Sequence, residues 1–281
     1  MTNFDYVQKT IDIFEDSLIS GEPLTTTISL AAKIGYSAHH LGRLFQSLCG
    51  EGLGRYMLAR RLAEAAVAVR ERSLSAREAA ALFGWEDYSA FSRAVRKEFG
   101  TSPAGLRALD GGDLRLAARA RPRVPRASGE PIEEPLLVMA EGFHATGLVF
   151  FMGANERGFH RPWRIFMANR RLINGVVGED TWQFSSWDDR ASDEDDGLWI
   201  HCAVKTDPAA PQDMRFFSRD VPTLRVLEFA HRGPIETIHD TYRRIFQEYL
   251  PASAFRLAGN MEFQRYGSGG EVTVCLPIIG G

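Results

Sequence analysis

Leu30-Ala31-Ala32-Lys33-Ile34-Gly35-Tyr36-Ser37, continued by His40-Leu41-Gly42-Arg43-Leu44-Phe45 and closed at Gly50, is the stretch on which the fold turns. Its pattern is written again about 50 residues later as Glu78-Ala79-Ala80-Ala81-Leu82-Phe83-Gly84-Trp85, then Phe91-Ser92-Arg93, closing at Gly100. Self-similarity at a fixed offset is the mark of a duplicated unit. In each copy a small-residue helix breaks at a glycine, the residue that reaches the left-handed conformation without a steric cost. An aromatic, Tyr36 or Trp85, then enters the core. A second helix starts near Ser37 or Asp87, whose side chains accept backbone N–H bonds at a helix start. Helix, glycine turn, helix is a helix-turn-helix.

Between the copies, residues 55–72 carry Leu58, Leu62, Ala65, Ala66 and Val69 on one stripe. Such a helix is a rod of roughly 27 Å at ~1.5 Å per residue. It suits two groove-reading helices set about one DNA turn, ~34 Å, apart.

Outward from this core the chain bounds itself. At 281 residues, 44% hydrophobic and 25% charged, it is expected to fold as two soluble globular domains. The opening residues carry scattered charges and no later stretch is continuously apolar, so neither a signal peptide nor a membrane span is expected. Cys49, Cys202 and Cys275 lack paired spacing and read as reduced thiols of a cytoplasmic protein. Residues 1–126 hold 18 Lys and Arg against 14 Asp and Glu, whereas the remainder holds 15 against 22. Only the basic front suits a polyanion.

Residues 1–109 read as all helical and 110–135 as a linker. The linker holds Gly111-Gly112, five arginines between Arg115 and Arg126, and Pro122, Pro125, Pro131 and Pro135. Residues 136–281 read as an α+β domain with an antiparallel sheet. Strands are expected at 136–140, 146–151, 182–186, 199–205, 224–229, 255–263 and 272–277, and helices near 162–172 and 235–250. The order is a strand-helix-strand-strand (β-α-β-β) unit used twice.

The front motifs, with Phe99-Gly100, Ser102-Pro103 and Arg107, resemble the two halves of the AraC/XylS DNA-binding domain, a bacterial family. Trp85 replaces the usual Phe and Val95 an aromatic, both in the core. The resemblance implies that Ser37, His39, His40 and Arg43 of the first unit, and Tyr88, Ser89, Ser92 and Arg93 of the second, contact double-stranded DNA. Arginine can pair bidentately with guanine. Arg96 and Lys97 are placed for phosphates, while Gly42 offers no side chain.

The rear half, ending in Asn260-Met261-Glu262-Phe263 and Val272-Thr273-Val274-Cys275-Leu276-Pro277, resembles the gyrase-inhibitor-like (GyrI-like) ligand-binding fold. That fold implies a sensor of amphipathic, aromatic or cationic effectors, as in multidrug sensing. Glu262 falls on the fold's Glu-x-Tyr strand, although Gln264 stands where Tyr is usual. Trp187, Trp163, Phe143, Phe263 and Tyr266 complete the expected ligand site. No metal, cofactor or catalytic motif is expected, and RNA polymerase is an expected partner. Two alternatives stand beside the sensor: a hydrolase in which Glu262 activates water on an electrophile, and a protein-interaction module.

Overall fold

In the computed structural model, which describes residues 1–72, 74–108, 116–125, 132–153, 158–187 and 197–279, the chain forms two compact units, Met1–Pro125 and Arg126–Gly281.

The first unit is built of helices α1 Asn3–Ser20, α2 Thr27–Ile34, α3 Ala38–Cys49, α4 Leu53–Glu71, α5 Ala76–Leu82 and α6 Tyr88–Phe99. Their starts are fixed by caps: Thr26, Ser37, Ser75 and Asp87 each accept a backbone N–H of the helix that follows. The turns inside the two helix-turn-helix units pass through Gly35 at φ 77° and Gly84 at φ 78°. A Cβ on Gly84 would also lie 2.6 Å from Thr25 Cγ2, so glycine is required there twice over. The helices share a core of Val7, Ile11, Phe14, Leu30, Leu41, Phe45, Tyr56, Leu62, Phe83 and Phe91.

Two arginines of α4 hold the unit together. Arg60 meets Glu15 of α1 through Nε at 2.8 Å and Nη2 at 2.7 Å, and Tyr56 donates to the same carboxylate at 2.5 Å. Burial alone would raise the Glu15 pKa, but these hydrogen bonds outweigh it and hold the carboxyl below its ordinary value. Arg61 turns the other way. It donates to the carbonyls of Phe83 and Gly84, each at 2.9 Å, and stacks 4.1 Å from the Trp85 ring.

Part of the expected linker packs on this unit. Residues 116–125 form an extended strap: Arg60 donates to the Ala117 carbonyl, Arg119 pairs with Asp12, and the Arg123 N–H donates to the Leu48 carbonyl at 2.8 Å. Its prolines forbid helix and ladder, but an extended chain can still place single backbone groups on neighbouring helices. The remaining stretches expected as linker, 110–115 and 126–131, lie outside the described residues.

The second unit is an antiparallel sheet with strands β1 Leu136–Ala140, β2 Phe143–Met152, β3 Val176–Ser186, β4 Leu198–Thr206, β5 Phe217–Val221, β6 Leu224–His231, β7 Arg256–Leu257, β8 Met261–Tyr266 and β9 Val272–Ile279. Helix α7, His160–Asn169, follows β2. Helix α8, Ile238–Arg244, follows β6 and runs on through a wider turn, Ile245–Tyr249. The strand order β1-β6-β9-β8-β3-β4-β2-β5 reads the same from either end once the two repeats are matched, with β7 pairing β9 off this path. A pseudo-dyad therefore passes between β3 and β8.

Three strands differ from expectation. β3 begins six residues early because an irregularity between Val176 and Thr181 lets the chain rejoin β4. The stretch expected as one strand over 255–263 is split at Gly259, φ 64°, into β7 and β8. β5, Phe-Ser-Arg-Asp-Val, was not expected, being short and mostly polar.

Alternation divides the sheet into two faces. On one, Ile200, Cys202 and Val204 pack with Phe166 of α7, Ile173, Phe216 and Leu148. On the other, Ala145, Trp182, Phe184, Ala203, Val221, Val226, Phe263 and Cys275 form one cluster with Phe143 and with Val138 of β1. Since β1 and β5 sit at opposite ends of the strand order, a cluster joining them requires the sheet to curl into a half-barrel with this face inside.

Candidate DNA-binding face and effector site

Helices α3 and α6 each bury one stripe and present another. In α3 the buried stripe is His40, Leu41, Leu44, Phe45 and Leu48. His40 is 1% exposed, so it faces the core and is removed from the DNA-contacting set. Burial, then the nearby charges of His39 and Arg43, hold it far below the ordinary histidine range. Ser37 is occupied as the α3 cap, accepting from the His40 N–H at 3.2 Å. The outward stripe is His39, Gly42, Arg43 and Gln46. His39 is half-buried, and its pKa is lowered to about 3 by burial first and by Arg43 second, so it would meet DNA as a neutral imidazole.

The α6 stripe, exactly parallel in spacing at an offset of about 50 residues, is Ser89, Ser92, Arg93 and Arg96, with Lys97 beside it; all but half-buried Ser92 are exposed. Arg93 lies 4.0 Å from Asp87, a loose surface contact that leaves it available. Tyr88 is half-buried under the Arg77 guanidinium at 5.0 Å. Gln46, the counterpart of Arg96, is an outward position that the sequence reading missed; the repeat itself carried the signal.

In the second unit the six expected ligand residues do not converge. Phe143 and Phe263 lie on the inner face, Phe143 at 4.8 Å from Trp182 and 6.3 Å from Phe184, and Phe263 at 5.6 Å from Phe184. Glu262 is the strand neighbour of Phe263 and opposite Ser185, which puts it on the helix-bearing face, buried. Trp163 and Tyr266 are there too, their rings 4.6 Å apart. Trp187 is buried just beyond β3, its backbone bonded to Asn260.

The helix-bearing face holds a neutral polar string on the pseudo-dyad. Gln183 and Gln264 are direct partners across β3 and β8. Trp163 Nε1 of α7 donates to Gln183 Oε1 at 2.7 Å, Gln264 Nε2 donates to the Tyr242 hydroxyl of α8 at 3.0 Å, and the Tyr266 hydroxyl donates to Gln264 Oε1. Each repeat thus ties its own helix to its own central strand. Amides emit no periodic signal, and this string was not read from the sequence.

The inner face combines aromatic rings with cations. Arg219 of β5 and Lys205 of β4 are the register partners of Ala145 on either side. At Gly147 a Cβ would fall 1.9 Å from the Cys202 carbonyl, so the floor beside them is bare backbone. Across this floor Arg219 reaches β3 and β8, its Cζ 5.4 Å from the Phe184 ring and Nη2 3.1 Å from Met261 Sδ. His201 is 4% exposed, with its ring 5.7 Å from Phe184 and 5.3 Å from Phe217. Its pKa is lowered to about 4 by burial and then by Arg219. Exposed Phe151 and Trp199, 5.0 Å apart, border the floor.

Profiles of two families match the chain: a helix-turn-helix domain over residues 30–108 and a GyrI-like small molecule binding domain over residues 152–277. Probable transcription factor PqrA of Proteus vulgaris is 39% identical over 79 residues, 28% of this chain and 65% of that protein, so the chain spans about two thirds of that relative's length. Regulatory protein SoxS of Salmonella typhimurium is 31% identical over 107 residues, 38% of this chain and 97% of that protein. A solved AraC-type transcriptional regulator from Chromobacterium violaceum is 27% identical, covering 37% of this chain and 90% of that one with a TM-score of 0.33. Helical front, duplicated turn and curled rear sheet together define a DNA-binding regulator with an attached small-molecule-binding domain. The chain belongs to the AraC family of helix-turn-helix transcription regulators and carries a GyrI-like domain. No helix of the described residues is long and apolar enough to cross a membrane.

Proposed function

We propose that the chain is a cytoplasmic transcription regulator that grips promoter DNA through α3 and α6 and binds a small aromatic effector on the inner face of its half-barrel. DNA contact falls to His39, Arg43, Ser89, Ser92, Arg93, Arg96 and Lys97. The observation that carries the effector reading is the ring cluster of Phe143, Trp182, Phe184 and Phe263 on the sheet face that bears neither helix. Apolar walls with a few polar groups are what small-molecule sites are made of. Effector binding acts by favouring one arrangement of the chain, which changes its hold on the promoter or on RNA polymerase. A hydrolase reading through Glu262 gains no support, because that carboxylate and the ring cluster belong to opposite faces and the relatives are regulators.

The test is a thermal-shift screen of the full chain with neutral, anionic and cationic aromatic compounds. A ligand at 100 times its Kd stabilises by about 2.7 kcal/mol. Hits should be lost in Phe143→Ala and recovered chemically intact. Hits that persist in that variant would move the site, and hits that are consumed would make the rear unit an enzyme.

A further inference from the structure

We propose that the effector is an aromatic anion, whose carboxylate or equivalent acid group sits between Arg219 and Lys205 while its ring lies over the floor of Ala145, Gly147 and Ala203. This rests on the inner-face reading above and adds the charge of the ligand to it.

The argument is a charge balance on one face of the sheet. Strand alternation and register put Lys205, Arg219, Arg265 and Glu228 on the inner face. Glu228 is taken by Arg265 at 3.5 Å. Asp220, next to Arg219 in sequence, points to the other side, where it meets His144 at 2.7 Å. Among the described residues no carboxylate forms an ion pair with Arg219 or Lys205.

Arg219 is held half-buried by a thioether and an aromatic face, neither of which neutralises it, and burial pushes its pKa down. A partly buried guanidinium without an anion is costly, and a fork of N–H donors beside flat apolar walls matches a carboxylate on an aromatic ring. The second indication is His201. It is nine-tenths buried on the same face, and neither ring nitrogen meets hydrogen-bond geometry with a described residue. One of its nitrogens carries a proton in the neutral ring and is a further donor for an acid oxygen. The pairing of two cations and a spare donor is the reverse of what a cationic effector would need.

Three probes of one shape separate the possibilities: 2-naphthoate, 2-naphthamide and 2-naphthylmethylammonium, titrated into the full chain and followed by calorimetry and tryptophan fluorescence. The expected result is naphthoate binding at least tenfold tighter than the amide, with the ammonium weakest. Arg219→Gln should bring naphthoate and amide within twofold of each other, Arg219→Lys should retain part of the preference, and Lys205→Gln should reduce it several-fold. Circular dichroism checks the fold, and Lys205→Gln, a less buried change, keeps the test standing if Arg219→Gln unfolds. Equal binding of all three probes, or a naphthoate preference untouched by both Gln variants, would overturn the anion assignment while leaving the aromatic site intact. Failure of all three to bind would overturn the inner-face reading and this inference with it.

Discussion

Replacing Arg61 by Met tests whether one buried side chain fixes the second helix-turn-helix to the rest of the first unit. Met keeps most of the aliphatic stem and removes the guanidinium, which is 8% exposed as a residue and donates to two carbonyls at 2.9 Å each. Hydrogen bonds from a charged donor contribute about 1.5–3 kcal/mol apiece, and stacking on a desolvated Trp adds roughly 1–2 kcal/mol. Against this stands the cost of burying the charge, visible in a pKa lowered to about 10. The balance is a loss of about 3 kcal/mol, or roughly 10 °C in the melting temperature of a unit this size. Urea unfolding and calorimetry of the full chain measure it, and operator binding should fall with it because α6 loses its fixed position. Arg61→Lys should recover less than half, since a single ammonium cannot span both carbonyls over an indole. A Met variant within 1 kcal/mol of the parent would refute the assignment, since the turn would then hold itself.

Three further outcomes follow from the site geometry. Arg93→Ala should weaken specific operator binding by about 1–3 kcal/mol, while Lys97→Ala should weaken all sequences alike and reduce the salt slope by about 1; gel shifts across a salt series separate them. His201 has a folded pKa of about 4 against an unfolded value near 6.5. The unfolded chain therefore takes up the extra proton, and stability is complete above that unfolded value and lost as pH falls toward 4. The loss approaches 1.36 kcal/mol per pH unit for this one group, and His201→Gln should flatten the urea-unfolding profile by that amount. Glu262→Gln should leave the affinity of inner-face ligands within twofold by calorimetry; a tenfold loss would transfer the ligand to the helix-bearing face.

The front unit was legible because its punctuation is local. Gly35, Gly84, Ser37 and Asp87 act on the residues beside them, so a reader of the chain meets cause and effect together. The strap was not legible, because residues 116–125 are held by Arg60, Asp12 and Leu48, far away in sequence. His40 was misassigned by counting motif positions without asking which of two adjacent histidines faces the core. The effector site shows a different limit. Glu262 and Phe263 are consecutive in a strand and cannot line one side of it, so their joint assignment was refutable on sequence alone. The Glu-x-Tyr spacing also fits two residues later, as Gln264-Arg265-Tyr266, and these two side chains are the ones hydrogen-bonded to each other. Arg219 lay beyond reach, since nothing in Phe-Ser-Arg-Asp-Val announces a strand or the ring it will lie across.

The palindromic strand order makes the rear unit a dimer written into a single chain. In a true homodimer every substitution is made twice, and a ligand on the axis pushes both halves alike. Here the halves have drifted separately: β5 offers Arg219, while β1 at the mirrored edge is Leu136-Leu137-Val138-Met139-Ala140 and offers no charge. A guest drawn to the charged edge loads one half only, so its push is a torque about the pseudo-dyad and has a direction.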